Sequence, residues 1–268
     1  MKTALSKSRN IVAAKVITDA DITPEKVVQY AHLLGITSQL DANPSLALGT
    51  SSASPLEMCS AYCPFANGGI SRQPLLIKYI ENAQGRTLKE FSSKSSQVVD
   101  AQSIYLVVDM LRDAVENGSG RSVRSLGFNR PAAGKTGTSQ EARDAWFIGF
   151  TPDLVTAIWV GFDDNRPIKD QNGIELSSAV AIPIWVHFMK NALQGQRYRN
   201  FPVPEGIIFA FVDPATGEIV PQDYPNAQQV ALKAGTQLPM KHLAGNYYLS
   251  DSTNTIPDSL KKLLEDFD

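Results

Sequence analysis

Residues 134–138 read Gly134-Lys135-Thr136-Gly137-Thr138, with Ser139 next. A fixed cation, two hydroxyls and two glycines stand within five residues, and Pro131-Ala132-Ala133 before them put nothing bulky beside the lysine. The chain then runs Trp146-Phe147-Ile148-Gly149-Phe150, turns at Thr151-Pro152-Asp153, and continues Leu154-Val155-Thr156-Ala157-Ile158-Trp159-Val160-Gly161-Phe162. Aromatic and β-branched runs about a Pro/Asp turn are a hairpin signal. Lys135 is therefore expected on or beside a sheet strand, where the glycines let a ligand come close to the backbone. A given tetrapeptide of such residues arises by chance in a chain of this length only roughly a few times in a thousand.

Gly134-Lys135-Thr136 is also the end of a phosphate-binding loop, G-x-x-x-x-G-K-[ST]. That pattern needs glycine at position 129, where the chain has Asn129, and Pro131 removes an N–H that should cradle phosphate. The loop should also open a helix, whereas Gly137 and the hairpin argue for strand. The nucleotide reading is set aside.

The 268 residues are 43% hydrophobic and carry a net charge of −2. That suffices for one large domain or for one domain with an appendage, and implies no bulk attraction to nucleic acid or anionic membrane. The longest apolar run, Ala179 to Phe188, is too short for a bilayer. Met1 leads straight into Lys2-Thr3-Ala4-Leu5-Ser6-Lys7, which reads like the inside of a helix, so a fragment or an internal initiation point is expected. The two cysteines, Cys59 and Cys63, share one helix face at i, i+4 and read as packing residues. The three histidines, His32, His187 and His242, lie far apart and suggest no metal site. Asn117-Gly118-Ser119 fits a glycosylation acceptor but also a helix end.

In chain order, Ser8-Arg9-Asn10 interrupts an apolar helical pattern and marks a junction between two helices. Thr23-Pro24 starts a helix ending at Gly35, and Asn43 to Gly49 is a loop. Ser54-Pro55-Leu56-Glu57 is a capping box opening a helix that ends near Asn67-Gly68-Gly69. Ile77 to Ile80 and Thr87 to Phe91 form a hairpin, and Ser92 to Ser96 a polar loop. Asp100 caps a helix with Ala101, Ile104, Tyr105, Val108, Leu111 and Val115 on one face. The loop from Arg121 to Arg130 delivers the chain to Lys135. Ser177 to Leu193 reads as a helix packing through Val180, Ile184 and Phe188. Ile207 to Val212 should pair with Glu218 to Val220 across a turn at Asp213 to Gly217, and Pro257 to Asp268 should be a short amphipathic helix.

With these residues in place, the chain resembles the transpeptidase domain of class A, bifunctional penicillin-binding proteins. The resemblance rests on Ala4-Leu5-Ser6-Lys7-Ser8-Arg9-Asn10, Leu46-Ala47-Leu48-Gly49, Pro55-Leu56-Glu57-Met58, Ala61-Tyr62, Phe65-Ala66-Asn67-Gly68-Gly69, Gly134 to Thr138, Asp144-Ala145-Trp146-Phe147 and Trp159 to Asp164. Lys135-Thr136-Gly137 and Ser8-Arg9-Asn10 match two of the three motifs of serine penicillin-binding proteins and class A β-lactamases. A β-lactamase is disfavoured, because the segments after Asp163 fit the longer synthetic enzymes. The resemblance implies an incomplete α/β fold of the penicillin-binding and serine β-lactamase type, an antiparallel β-sheet flanked by helices. It places the C-terminal part of that domain at 1–197 and a C-terminal extension at 198–268.

It further implies peptidoglycan stem peptides and β-lactams as partners, acyl transfer through a serine ester, no cofactor or metal, and a place in the cell envelope, on the extracytoplasmic face of the membrane. Ser8 and Lys135 are the expected catalytic residues, Ser8 relaying a proton. Asn10, Thr136, Gly137 and Thr138 are expected to bind the donor peptide. The third motif, the S-x-x-K nucleophile, is expected upstream of Ser8. The only such pattern here, Ser259-Leu260-Lys261-Lys262, lies in the charged tail and reads as coincidence. The chain alone is thus expected not to form an acyl-enzyme. The alternative is a non-catalytic module that keeps the substrate cleft.

Overall fold

Short polar side chains and prolines set the helix ends. The computed structural model describes residues 1–241, divided between a unit at Met1–Glu205 and a second beginning at Gly206. The first unit opens with α1 (Lys2–Ser6) and α2 (Asn10–Ile17), separated at Ser8. Helix α3 (Pro24–Leu34) is capped by the Thr23 hydroxyl and closes at Gly35, whose φ of +121° admits few other residues. Helix α4 (Pro55–Ala66) carries both halves of the Ser54/Glu57 capping box. The Glu57 carboxylate also accepts from the N–H and hydroxyl groups of Thr37 and Ser38, at 2.6–3.0 Å. These donors, with those of Ser54, hold it well below the usual carboxylate range. Helix α5 (Ala101–Glu116) starts where Asp100 accepts from the Ser103 N–H at 2.8 Å, and buries Ile104, Tyr105, Val108, Leu111 and Val115.

Two small antiparallel pairs branch off between α4 and α5. β1 (Ile70–Arg72) pairs with β4 (Ser95–Gln97), and β2 (Tyr79–Glu81) with β3 (Thr87–Glu90) across the expected turn. After the one-turn helix α6 (Ser122–Ser125) comes the sheet that matters for the site: β5 (Ala133–Thr138), β6 (Asp144–Phe150) and β7 (Val155–Gly161), antiparallel in that order. Lys135 therefore stands inside an edge strand that continues to Thr138, with only a three-residue 3₁₀ turn (Gln140–Ala142) before β6; it does not open a helix, which removes the phosphate-loop alternative. Helix α7 (Ala181–Ala192) covers one face of the sheet.

The core lies between the sheet and α7. Trp185 is fully buried, with Phe128 and Phe147 edge-on to its indole at 5.1 and 5.2 Å between centroids. Its Nε1–H donates to the Gly149 carbonyl at 3.1 Å, so the one polar atom of the ring is satisfied. Gly134 and Gly149 face each other across β5 and β6. A Cβ on Gly149 would come 2.7 Å from the indole, so the missing side chain is what lets Trp185 press on the strand.

Several expectations need correction. Ser177–Leu193 is not one helix: Ser178–Val180 form a 3₁₀ turn and α7 begins at Ala181. Its inward face is Ala181, Ile182, Trp185, Val186 and Met189, whereas Ile184 and Phe188 are about half exposed. The bulky Trp185 sets the rotation, because its ring needs the slot between Phe128 and Phe147. Ser95–Gln97 is strand rather than loop; its all-polar composition hides the pairing. Asn43–Gly49 contains a 3₁₀ turn over Pro44–Leu48.

In the second unit, β8 (Ile207–Val212) meets Ile219 at a single bridge, and its full partner is β9 (Gln228–Lys233). The turn does form, with the Asp213 N–H donating to the Glu218 carbonyl at 2.9 Å. Asp213 also pairs with Lys241. The expected terminal helix and His242 lie outside the described residues.

Candidate active site

Helix α5 is the common support of two segments far apart in sequence. α1 and β5 both pack on it. A half-buried Lys2–Asp109 ion pair at 2.8 Å fastens α1 to α5, and Lys7 donates to the Asn117 carbonyl at the end of α5. In the turn that follows, a Cβ on Gly118 would lie 2.3 Å from the Ser6 carbonyl oxygen, so only glycine allows this approach. The Ser119 N–H then donates to that carbonyl at 3.0 Å. Asn117 itself caps the helix, with its side-chain amide on Asp113 at 2.8 Å.

The α1–α2 junction closes as a Schellman turn. The Ser8 N–H donates to Leu5 at 3.1 Å and the Arg9 N–H to Ala4 at 2.8 Å. The left-handed position of such turns favours glycine, yet it is held here by Ser8, at φ +55°. Its hydroxyl thereby stands clear of both helices and accepts from the Lys135 Nζ at 2.8 Å, across 127 residues of sequence. The expected Ser8–Lys135 juxtaposition is therefore present.

Lys135 also donates to the Thr136 carbonyl at 3.1 Å. The ladder explains that acceptor. The Ser139 N–H bonds the Asp144 carbonyl at 3.2 Å, and antiparallel pairs alternate. Lys135 and Gly137 thus bond toward β6, while the backbone groups of Thr136 and Thr138 point to the open edge. Burial pushes the Lys135 ammonium below its ordinary lysine value. Lys135 is thus a partly desolvated ammonium that gains by meeting an anion.

The remaining expected residues are placed as follows. The Thr136 hydroxyl donates to the Ser119 hydroxyl at 2.7 Å. The Thr138 hydroxyl accepts from the Ser178 N–H at 3.1 Å, so its own proton stays available. Gly137 lies opposite Trp146, where a Cβ would come within 3.2 Å of that side chain. Asn10 begins α2, exposed, two residues past Ser8. Sequence reasoning missed Ser119 as a site residue: Asn117-Gly118-Ser119 was legible as a glycosylation acceptor or a helix end. Among the described residues no cluster of metal-ligating side chains occurs, and no helix is long and apolar enough to cross a membrane.

The family model of the penicillin binding protein transpeptidase domain matches residues 1–185. This chain belongs to that family. Relatives of the chain include Penicillin-binding protein 1A of Neisseria meningitidis, 33% identical over 214 residues that make up 78% of this chain and 26% of the relative. Penicillin-binding protein 2D of Bacillus subtilis is 37% identical over 221 residues, 80% of this chain and 31% of the relative. Among solved structures, Penicillin-Binding Protein 1A from Haemophilus influenzae superposes with a TM-score of 0.79 at 26% identity, over 90% of this chain and 41% of that one. The PonA1 protein from Mycobacterium tuberculosis in complex with penicillin V gives 0.67 at 26% identity, over 75% of this chain and 58% of that one. The fold, helices about an antiparallel sheet, is that of these transpeptidases. The chain spans 26% to 31% of the length of these two curated relatives.

Proposed function

We propose that this penicillin-binding chain supplies the carboxylate-capturing and proton-relaying side of a serine D,D-transpeptidase centre. Its substrates are peptidoglycan stem peptides ending in D-Ala-D-Ala, its inhibitors β-lactams, and its place the extracytoplasmic face of the cell envelope, where such peptides are cross-linked. The observation that carries this reading is the 2.8 Å contact between Lys135 and Ser8, with the Lys135 ammonium partly desolvated. A donor peptide ends in a carboxylate, which an under-solvated ammonium binds as a charge-assisted pair. The Thr136 and Thr138 hydroxyls lie on the same strand, and the Thr138 N–H on its open edge suits an oxyanion hole, whose single donors are worth about 3–4 kcal/mol.

In the reaction a nucleophilic serine adds to the penultimate D-Ala carbonyl and the C–N bond to the terminal D-Ala breaks. Ser8, bonded to Lys135, passes the proton to the departing amine. An amine of a neighbouring stem then displaces the serine and returns a proton by the same route. Asn10, beside the junction, is assigned to the donor's peptide amide. Proton transfers of this kind contribute on the order of 10²–10⁴ in rate. We place the nucleophile outside this cleft's present residues, since the S-x-x-K pattern occurs only at Ser259 to Lys262.

Two measurements test the reading. Titration of the isotopically labelled chain with N-acetyl-D-Ala-D-Ala should shift the Thr136 and Thr138 amides, and Lys135→Ala should abolish the shift; binding unaffected by that change refutes it. A fluorescent penicillin should leave no covalent label. A label that disappears in Ser259→Ala would show that the tail carries the nucleophile after all.

A further inference from the structure

We propose that Ser119 is a ligand-binding residue of the cleft, donating its hydroxyl proton to the carboxylate that Lys135 captures. The proposal rests on the reading of the cleft as a carboxylate site and names a donor outside the two motifs of the sequence. Thr136 donates its single hydroxyl proton to the Ser119 oxygen at 2.7 Å. That proton is thereby committed, and the Ser119 proton becomes the free end of the pair. Among the described residues the Ser119 hydroxyl has no further hydrogen-bond partner, and the side chain is exposed.

Its position is fixed from three sides. The Ser119 N–H donates to the Ser6 carbonyl at 3.0 Å, the Gly120 N–H returns to Ala114 at 2.9 Å, and Gly118 lies against Ser6 at a distance that excludes a Cβ. A hydroxyl held this firmly loses little conformational freedom when it meets a ligand. The same turn grips the residue two before Ser8, so the Ser119 donor and the Ser8–Lys135 pair rest on one support. The chain also spends a buried group here. Ser6 is fully buried and among the described residues its hydroxyl has no partner, so the close seat of this turn is kept at some expense in polar satisfaction.

The test titrates the full chain with acetate, with N-acetyl-D-Ala-D-Ala and with the C-terminal amide of that dipeptide, following the Thr136 and Thr138 amide resonances. Ser119→Ala should weaken both acids by on the order of tenfold or more, the scale of a hydrogen bond to a charged group, and leave the amide ligand unchanged. Ser119→Thr should restore binding. Ser119→Cys, which keeps the volume but donates weakly, should behave like the alanine variant and decides the matter if that variant fails to fold. Thr136→Val should lose less than Ser119→Ala, and the double variant no more than Ser119→Ala alone. The proposal fails if Ser119→Ala binds the acids normally, if it weakens acid and amide alike, or if Thr136→Val proves the more damaging change. Acetate bound with the expected Ser119 dependence, but dipeptide ignored, would sink the transpeptidase reading and leave this assignment standing. A chain that binds neither acid overturns both.

Discussion

Replacing Ser8 by glycine should make the protein more stable than replacing it by alanine, although both remove the same hydroxyl. Ser8 sits at φ +55°, in the left-handed region, one residue past the Lys7 cap of α1. For a residue with a Cβ that conformation costs roughly 1–2 kcal/mol. Alanine keeps the penalty and glycine abolishes it. Glycine's looser unfolded chain takes back about 0.4–1 kcal/mol. The loss of the 2.8 Å contact to Lys135 is common to both variants and cancels in the comparison. Ser8→Gly should therefore exceed Ser8→Ala by about 0.5–1 kcal/mol, which for a unit of this size is roughly 1–4 °C in Tm. Urea unfolding gives the difference as a shift in midpoint at constant slope. Both variants should lose the proton relay. An alanine variant as stable as the glycine variant, or more so, would mean that the left-handed turn stores no strain, and the view that the site keeps Ser8 there for its hydroxyl would fall with it.

Gly118→Ala should destabilise by about 2–4 kcal/mol, from overpacking against the Ser6 carbonyl 2.3 Å away and loss of the adjoining Ser119 hydrogen bond. The same change should shift the Lys135 side-chain resonances; unchanged stability by denaturant titration would deny the close approach. Glu57 is held below the usual carboxylate range by its Thr37, Ser54 and Ser38 donors, so its contribution is present above about pH 4.5 and is lost as pH falls toward the depressed folded value. Between about pH 5 and 3 the protein should lose stability more steeply than Glu57→Gln, and parallel curves would contradict the caged carboxylate.

The parts of the fold legible in the sequence are those governed by local rules. The α4 capping box, the Thr23-Pro24 start, the α5 stripe and the turn between β6 and β7 each follow from a few adjacent residues. So does the break at Ser8-Arg9-Asn10, because serine and asparagine compete with helix bonding. The failures share a cause in distance. The rotation of α7 depends on where Trp185 finds Phe128 and Phe147, which no periodicity in α7 records. β8 passes over its near neighbour for β9 because its full partner lies beyond the turn, and a polar strand such as Ser95–Gln97 carries no alternation to announce itself. In the site, Lys135 and Ser8 were legible as motif residues, whereas Asn117-Gly118-Ser119 reads as a glycosylation acceptor or a helix end and nothing local places the Ser119 hydroxyl against Thr136. Gly118 is legible only with the Ser6 carbonyl in view.

Magnitudes decide what holds the site together. The Lys135–Ser8 hydrogen bond joins two segments far apart in sequence, and a bond from a charged donor contributes about 1.5–3 kcal/mol net, less than the summed cost of ordering both side chains and the left-handed turn it requires. It cannot be what brings the segments together. The work falls to α5, which buries Val108, Leu111, Ala114 and Val115, each fully or nearly so. At roughly 1.5–3 kcal/mol for each large apolar side chain, that burial outweighs the polar contacts of the cleft several times over. α1 and β5 are positioned by the core they share, and the hydrogen bonds of the cleft then form between groups already in place. Lys135 can accordingly be held partly desolvated with two neutral acceptors: the cost is carried by packing elsewhere, and on the proposed reading an incoming carboxylate would relieve it.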